Sequence, residues 1–357
     1  MTTHEPTTHE PSANALKVGV IGATGLVGQE MLRILEERAF PVSELRAYAS
    51  ARSQGRRLPF NGGEVACEVL REGCFDGMDL VIVDVDDPLA LEWAPQAAAA
   101  GAVVVDNSAA FRMDPDVPLV VAEVNPDDLR SLPKGIASCP NCTTMVLVTA
   151  LAPLHRAARI ERLVVSTYQS VSGAGQSGLH ELDEQWTKFD GGAELLRRAG
   201  TNNTAAEAGE VWSKPIAGNV IPLAGSVKEA GYTSEEWKLV FETRKILHDD
   251  EILVSPTCVR VPVYVGHAMA ANLQFRRPMH RAEAVEVLGD APGVVLVDDG
   301  DGYPTPLEAA GIDPVLVGRL REDPSLPGAL NLWVTGDNLR KGAALNAVQM
   351  AEVLRDL

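Results

Sequence analysis

The sequence predicts a two-domain α/β protein in which a parallel sheet with helices on both faces is followed by an α+β domain with a mixed, largely antiparallel sheet. Three observations support this prediction. The chain has 357 residues, of which 46% are apolar, so two separate cores can form. Strand-like and helix-like segments alternate before Cys142. After Cys142 the apolar runs are longer and richer in β-branched and aromatic residues.

The first ordered element is an apolar strand, Leu16 to Ile21, which runs into a glycine-rich turn and a segment of helical period in ALKVGVIGATGLVGQEMLRILEERAF. Further strand-like runs are LRAYAS, DLVIVDV and AVVVDN, and the helical segment PLALEWAPQAAAAG precedes the last of them. This alternation is typical of a Rossmann-type dinucleotide-binding domain, which we predict over residues 14–141. The polar repeat TTHEPTTHEP predicts a disordered tail over residues 1–13.

The second domain is predicted over residues 142–336. The runs RLVVSTYQSV, EILVSPTCVRVPVYVGHAMAANLQF and GVVLVD predict strands of the mixed sheet. The intervening WTKFDGGAELLRRAGTNNTAAEAGEVW is rich in Gly, Ala and Asn and predicts a variable excursion. The closing GDNLRKGAALNAVQMAEVL has apolar residues at helical spacing. We expect this C-terminal segment, residues 337–357, to pack back on the first domain and complete it.

Composition excludes several classes of partner. The net charge of -18 would repel nucleic-acid phosphates and anionic membrane surfaces. The longest apolar windows, such as TMVLVTALAPL, are too short to span a bilayer. Five cysteines form a sparse, odd-numbered set, unlike a secreted disulfide framework, so we expect a cytoplasmic protein. Zinc is disfavoured because there is no second Cys-x-x-Cys and the nearest downstream histidine is His155, so we expect no metal site.

The turn GATGLVG places glycines at Gly22, Gly25 and Gly28. Glycines at such positions let the backbone approach a pyrophosphate at the N-terminus of the following helix, where free amides and the helix dipole favour anions. Alone, the pattern equally fits a tight strand-to-helix turn that binds nothing.

The end of the second strand, YASARSQGR, refines the cofactor prediction. An NAD-binding fold usually places an acid here for the ribose 2′-hydroxyl, and this segment has none. Ser50, Arg52, Ser53 and Arg56 would instead suit a 2′-phosphate, which predicts NADP. A solvated basic loop is the alternative.

The segment SCPNCTT holds Cys139 and Cys142 in Cys-x-x-Cys spacing, which fits a redox pair, half a metal site, or one nucleophile with a neighbour. The following TTMVLVTAL is compatible with a helix, so Cys142 lies at a helix N-terminus, a position that lowers a thiol pKa. A buried, inert thiol is the alternative, but His267 supplies an acid/base partner. A disulfide to Cys139 requires converging Cβ vectors, and Pro140 restricts that geometry.

Ordered stretches along nearly the whole chain carry a family resemblance. They are GATGLVG, SARSQG, VVVDNSAAFRM, PNCTT, YQSVSGAGQSGLHELDEQ, NVIP, TSEEWK, ETRKIL, VRVPVYVGHA and DNLRKGAALNAVQ. On these stretches the chain resembles the aspartate-semialdehyde dehydrogenase family, as a divergent member. The sister enzymes that reduce N-acetylglutamyl phosphate fit less well at PNCTT and TSEEWK.

The resemblance implies an NADP-dependent reaction in which Cys142 attacks aspartyl 4-phosphate, phosphate leaves, and hydride reduces the thioester. His267 would be the acid/base group, with Gln169 and Asn141 orienting the acyl intermediate. The resemblance also implies a homodimer. In the substrate-binding set that it implies, Arg112 and Lys238 would hold the phosphate. Arg260 would bind the α-carboxylate, and Glu235 would lie near the amine.

The cofactor-binding set that the resemblance implies combines the glycine turn, the segment after the second strand and three residues further along the chain. It comprises Gly22, Thr24, Gly25, Leu26, Val27, Gly28, Ser50, Arg52, Ser53, Ser172, Gly173 and Asn338.

The chain departs from the family pattern at three places. VDVDDP, with Asp84, Asp86 and Asp87, stands where the family has a small glycine-containing stretch, and these carboxylates would repel cofactor phosphates. Cys139 replaces the usual Asn, and Ala122 replaces a Pro. Two alternatives therefore stay open. One is a reductase of another acyl phosphate or thioester, and the other is a non-catalytic relative that kept the fold.

Overall fold

The computed structural model describes residues 15–188, 208–297 and 302–357, which form two sheets joined by a long buried helix. The predicted tail, residues 1–13, and most of the Gly-, Ala- and Asn-rich excursion lie outside the described residues. The predicted fold class is confirmed, because a largely parallel sheet is followed by a mixed one.

The first sheet has seven strands. They are β1 (Leu16–Ile21), β2 (Val42–Tyr48), β3 (Arg57–Phe60), β4 (Gly63–Glu68), β5 (Leu80–Val83), β6 (Val103–Asp106) and β7 (Ile136–Ser138). Their order is β3-β4-β2-β1-β5-β6-β7, and all pairs are parallel except β3 with β4. Because β2 and β5 flank β1 on opposite sides, the winding direction reverses there. A crevice for ligands is expected at the carboxyl ends of β1 and β5.

The described helices lie between and after the strands. They are α1 (Leu26–Glu37), α2 (Asp87–Ala99), α3 (Cys142–Ala158), α4 (Gly175–Lys188), α5 (Ser234–Leu247), α6 (Arg281–Gly289), α7 (Pro306–Ala309) and α8 (Leu345–Asp356). Helices α1 and α8 share one core with the first sheet, and α2 packs on the opposite face through small alanines. The C-terminal segment therefore contacts the first sheet. None of these described helices is long and apolar enough to cross a membrane.

The second sheet has six strands. They are β8 (Ile160–Gln169), β9 (Leu253–Arg260), β10 (His267–Phe275), β11 (Val294–Val297), β12 (Val315–Glu322) and β13 (Leu330–Gly336). Their order is β11-β12-β13-β10-β8-β9, and three of the pairings are antiparallel while β8 with β9 and β11 with β12 are parallel. The sequence analysis missed β12 and β13, and also β3, β4 and β7.

Helix α3 joins the two cores. Met145 and Val148 pack in the core of the first sheet, whereas Leu147 and Leu151 pack in the core of the second. Because most side chains of this helix are buried, its first residue, Cys142, is held rigidly at the junction of the two sheets.

The C-terminal segment differs from the single predicted helix. A π-helical turn, Arg340–Ala344, precedes α8. The carbonyl of Asp337 accepts the amide of Gly342 at 2.9 Å. A Cβ atom on Gly342 would lie 3.1 Å from the Cβ atom of Cys142, so the wide turn brings bare backbone against the start of α3. Close packing on Cys142, which is distant in sequence, accounts for the difference.

Candidate active site

Cys142 and His267 face each other across the junction. Cys142 begins α3, and the N-cap Asn141 accepts the amides of Thr143 and Thr144 at 3.0 and 3.3 Å. His267 begins β10 and is fully buried. The distance from Cys142 Sγ to His267 Nε2 is 3.3 Å, within the range for proton exchange between a thiol and an imidazole.

The expected lowering of the Cys142 pKa is wrong. Burial raises the pKa of this thiol, the Glu235 carboxylate raises it further, and Arg260 and Lys238 oppose them. Burial also lowers the pKa of His267 to about 3, and the Arg260 guanidinium adds to this shift. The pair therefore rests as a neutral thiol beside a neutral imidazole.

Cys139 faces away from this pair. Its Sγ atom is fully buried against α8, 3.5 Å from Met350 Sδ and 3.7 Å from Asn346 Nδ2. Burial raises its pKa to about 12, and all five cysteines are free. Since the two sulfur atoms contact different elements, the structure does not support the Cys139–Cys142 disulfide hypothesis.

Glu235 on α5 organises the polar side of the site. Its carboxylate accepts the side-chain amides of Asn141 at 2.9 Å and Gln169 at 3.0 Å, and it pairs with Lys238 at 3.2 Å. Burial by itself would raise the Glu235 pKa, but Lys238, Asn141, Arg260 and Gln169 outweigh it and hold the pKa at about 2. An ionised carboxylate is therefore fixed beside the thiol.

Two buried arginines lie around the same centre. Arg112 donates to Glu242 at 3.2 Å and to the Asn107 carbonyl at 3.0 Å. Arg260 donates to the Ser170 carbonyl at 2.6 Å. The Nε atom of each is buried and has no partner among the described residues. Because buried guanidinium donors are costly to leave unpaired, both side chains are suited to bind an anion.

A cavity of about 840 Å³ opens in front of Cys142. The predicted residues on its wall are Asn141, Cys142, Arg112, Lys238, Gly25, Leu26, Val27, Ser172, Gly173 and Asn338. His267, Gln169, Glu235 and Arg260 do not line this cavity. His267 contacts Cys142 on its wall, and Glu235 contacts Asn141 and Lys238 there. Within the described ranges, no group of three or more His, Cys, Asp or Glu residues is arranged to hold a metal ion.

The glycine turn fits a dinucleotide. A Cβ atom on Gly22, which has φ of +88°, would lie 2.0 Å from the Asp84 carbonyl, and one on Gly28 would lie 2.3 Å from the Gly22 carbonyl. Thr24 lies in the same turn. Helix α1 starts after Gly25 with no side-chain cap, so its first amides are free beside the cavity. These features are what a bound pyrophosphate requires.

Gly173 is needed for a different reason. A Cβ atom there would lie 2.9 Å from an Arg260 nitrogen and 3.2 Å from His267 Cε1. The absence of a side chain at residue 173 therefore lets the backbone after β8 cover the catalytic pair and keeps the cavity open.

The three aspartates after β5 line the cavity. Asp84 Oδ1 accepts Asn107 Nδ2 at 2.8 Å, and Asp87 Oδ1 accepts the amide of Ala109 at 2.8 Å. Burial raises the pKa of Asp84, and Asp86 adds to this shift. The expected repulsion of cofactor phosphates by these carboxylates stays a prediction.

Ser50, Arg52 and Ser53 lie apart from the cavity wall, at the carboxyl end of β2. Arg52 and Ser53 belong to a single 3-10 turn, Ala51–Ser53, and Ser50 precedes it. Ser50 and Arg52 are exposed. No carboxylate in the described part of the chain forms an ion pair with Arg52. Its guanidinium is therefore available to a ligand.

The sequence analysis missed three residues of the site. Glu242 accepts both the Asn141 amide, at 2.7 Å, and Arg112. Its position seven residues after Glu235, on the same face of α5, was an available signal. Asn107 and Ser170 lie in the quoted segments VVVDNSAAFRM and YQSVSGAGQSGLHELDEQ, but their contacts with Asp84 and His267 join residues distant in sequence.

Two family models match the chain. The family model described as semialdehyde dehydrogenase, NAD binding domain, matches residues 17–132. The model described as semialdehyde dehydrogenase, dimerisation domain, matches residues 151–341. The fold and the site thus define an oxidoreductase of this class.

Three similar proteins narrow the class. An aspartate-semialdehyde dehydrogenase of Streptomyces akiyoshiensis is 50% identical over 95% of this chain and 98% of its own. The structure of aspartate semialdehyde dehydrogenase II from Vibrio cholerae, complexed with ASA, is 44% identical, has a TM-score of 0.89 and covers 95% of this chain and 98% of that one. The Candida albicans enzyme with NADP is 26% identical, with a TM-score of 0.71 and the same coverage.

The chain therefore belongs to the aspartate-semialdehyde dehydrogenase family. The expectation of a divergent member is wrong, because half of the aligned residues are identical to those of a curated relative.

Proposed function

We propose that the chain catalyses the NADP-dependent reductive dephosphorylation of L-aspartyl 4-phosphate to L-aspartate 4-semialdehyde, through a thioester on Cys142. This reaction would serve lysine, methionine and threonine synthesis. The observation that carries the proposal is the 3.3 Å contact between Cys142 Sγ and His267 Nε2, since Cys142 lines a cavity that Arg112 and Lys238 also line. The Vibrio cholerae relative complexed with ASA supports this choice of substrate.

The proposed first step is proton transfer from Cys142 to His267 Nε2, followed by attack of the sulfur on the acyl carbon. Phosphate leaves toward Arg112 and Lys238, whose charges stabilise it. Asn141 and Gln169, each held by Glu235, orient the thioester. His267 Nε2 is already in contact with the thiol, and the thiolate that forms would stabilise the imidazolium, which burial and Arg260 disfavour before the transfer.

The amino-acid end of the substrate would be held by Arg260 and Glu235. The unpartnered Nε of Arg260 suits the α-carboxylate, and the ionised Glu235 suits the ammonium group. NADPH, when bound, supplies the hydride that reduces the thioester. His267 then returns its proton as the aldehyde is released and the thiol is restored.

The test is the reverse reaction in a purified enzyme supplied with aspartate semialdehyde, NADP and inorganic phosphate. We expect NADPH formation that depends on phosphate. A panel of aldehydes that includes N-acetylglutamate semialdehyde tests the alternative that the chain reduces another acyl phosphate or thioester. A preference for another aldehyde would support that alternative. No turnover with any member would favour the non-catalytic relative.

Arg52 is predicted to select NADP over NAD. Because its exposed guanidinium follows β2 where an acid would serve NAD, Arg52→Ala should weaken NADP by about 1.5 to 3 kcal/mol and leave NAD almost unchanged. Titration of both cofactors measures this. Arg57→Ala is the matched control, since Arg57 is exposed and pairs with Glu64 at 3.4 Å. Equal affinities of the unmodified protein for NADP and NAD would contradict the prediction.

We also propose a homodimer that forms through the outer face of the second sheet. Helix α3 covers the inner face, where Leu163 and Val165 are buried. On the outer face Tyr168 is 37% exposed, and its ring lies 5.3 Å from that of Trp333. The match to a dimerisation domain over residues 151–341 supports this assembly.

Sedimentation equilibrium should show two chains per particle. Tyr168→Asp should weaken the dimer by about 2 kcal/mol, roughly 30-fold in Kd, because it puts a charge into an aromatic contact. Leu91→Asp provides the control. Leu91 is 54% exposed on α2, which packs on the first sheet and not on the sheet of the proposed interface. A monomer in the unmodified protein would refute the proposal.

The five free cysteines support placing the enzyme in a reducing compartment, and we propose the cytoplasm.

A further inference from the structure

Helix α5 carries a row of alternating charges. Glu235, Lys238, Glu242 and Lys245 are spaced by three or four residues, so their side chains lie on one face of the helix. The first three belong to the site described above, where Lys238 lines the cavity and the two glutamates bind other site residues. Lys245, the last residue of the row, lies one turn beyond Glu242 and outside the cavity wall.

Lys245 holds the backbone of the segment that carries Arg112. Its Nζ atom donates to the carbonyl oxygens of Arg112, Asp114 and Val117, each at 2.8 Å. An ammonium group has three N–H donors, so all three are used on this one segment. Residues 112–117 belong to none of the described helices or strands, and the position of their backbone therefore depends on contacts of this kind.

Arg112 is attached to α5 at two points. Its guanidinium group donates to Glu242 at 3.2 Å, and its own carbonyl accepts from Lys245, one turn further along the same helix. Two points fix the direction of the side chain as well as its position, because a single one would let the residue turn about it. Lys238 lines the same cavity and comes from the same helix, so one rigid element holds both cations.

The ammonium group of Lys245 is bound by backbone carbonyls and by no carboxylate among the described residues. Burial lowers the pKa of Lys245, while the charges of Asp114, Asp128 and Glu242 act in the opposite direction. A charge in a partly buried place is costly unless its donors are all hydrogen-bonded. The three carbonyl contacts meet that need, and the segment is thereby tied to the helix.

We propose that Lys245 is a positioning residue for the phosphate site, which fixes residues 112–117 on α5 so that Arg112 and Lys238 bind one phosphate together. The inference rests on the proposed function, in which these two cations hold the phosphate. Since Lys245 does not line the cavity, it acts on phosphate through the place that it gives to Arg112.

The first test is a calorimetric titration of the enzyme with inorganic phosphate, without aldehyde or cofactor. Lys245→Met keeps an unbranched side chain but removes the three donors, so it should weaken phosphate binding by about 10-fold or more. Lys134→Met is the matched control, because Lys134 is 42% exposed and pairs with the Asp114 carboxylate at 2.5 Å. It removes the same charge from the same segment, leaves the carbonyl contacts in place, and should keep the affinity within about twofold.

Arg112→Ala separates the two proposals in the same titration. If neither Arg112→Ala nor Lys245→Met changes the affinity for phosphate, the phosphate site of the proposed function is wrong and the inference falls with it. If Arg112→Ala weakens phosphate binding and Lys245→Met does not, the inference alone is overturned.

The second test is the reverse reaction. Lys245→Met should raise KM for phosphate by about 10-fold or more and leave KM for aspartate semialdehyde nearly unchanged, whereas a general loss of folded enzyme would not split the two values. Should Lys245→Met fail to fold, Lys245→Arg is the milder variant, since a planar guanidinium keeps the charge but cannot direct its donors as an ammonium does. It should raise KM for phosphate by about threefold or more. Equal rises in both KM values would overturn the inference.

Discussion

Replacing Cys142 by alanine should lower kcat by at least about 10,000-fold, the scale expected when a covalent nucleophile is removed. Without the sulfur no thioester can form, and neighbouring residues offer no substitute, since Cys139 is fully buried against α8. The fold should persist, because the Cys142 side chain is only partly buried and α3 keeps its Asn141 cap. Phosphate-dependent NADPH formation measures the loss, and circular dichroism checks the fold.

The control for this substitution is Cys67→Ala, which removes a thiol buried in the first core and far from the cavity wall. It should lose some stability and keep its kcat. Mass spectrometry of the unmodified enzyme mixed with aspartyl phosphate, without cofactor, should show an acyl adduct on Cys142. Substantial turnover by Cys142→Ala, or an adduct on another residue, would contradict the mechanism.

Replacing His267 by asparagine should lower kcat/KM by about 100-fold or more, the usual scale of a lost acid/base group. The effect should be large because burial raises the pKa of Cys142, so that without a base little thiolate exists at neutral pH. We expect the deficit to shrink as pH rises and the thiol ionises by itself. Steady-state kinetics over a pH series measures this.

His180→Asn is the matched control for His267. The His180 side chain is 71% exposed on α4 and pairs with Glu184 at 3.1 Å, so its loss should leave kcat/KM unchanged. A pH-independent deficit in His267→Asn would show that the imidazole does not act as the base for Cys142.

The architecture could be predicted because its signals are local. The strand, glycine turn and helix from Leu16 to Glu37 form one continuous pattern, as do the long apolar runs that become β8 and β10. The hairpin of β3 and β4 was missed because its strands are short and carry exposed charges. The two strands are stabilised by pairing with each other, and β4 also pairs with β2. A single sequence segment does not reveal such pairing.

The candidate site was predictable in part. The segments that resemble the family predicted the nucleophile, its histidine and the anion-binding residues. The roles of these residues remain predictions. The direction of the Cys142 pKa was predicted wrongly because a helix N-terminus acts locally, whereas burial and the charge of Glu235 come from elements distant in sequence. Ser170 was missed for the same reason, whereas Glu242 follows Glu235 by seven residues on α5 and could have been found from that spacing.

The sequence by itself determined the fold class, the glycine turn and the position of Cys142 at the start of a helix, because each depends on residues that are neighbours along the chain. Only the tertiary structure decided the protonation of the Cys142 and His267 pair, the separation of Cys139 from Cys142, and the network through Glu235, Ser170 and Asn338. Desolvation and hydrogen bonding depend on which atoms surround a group in three dimensions, and those atoms come from α3, α5, β8, β10 and the C-terminal segment together.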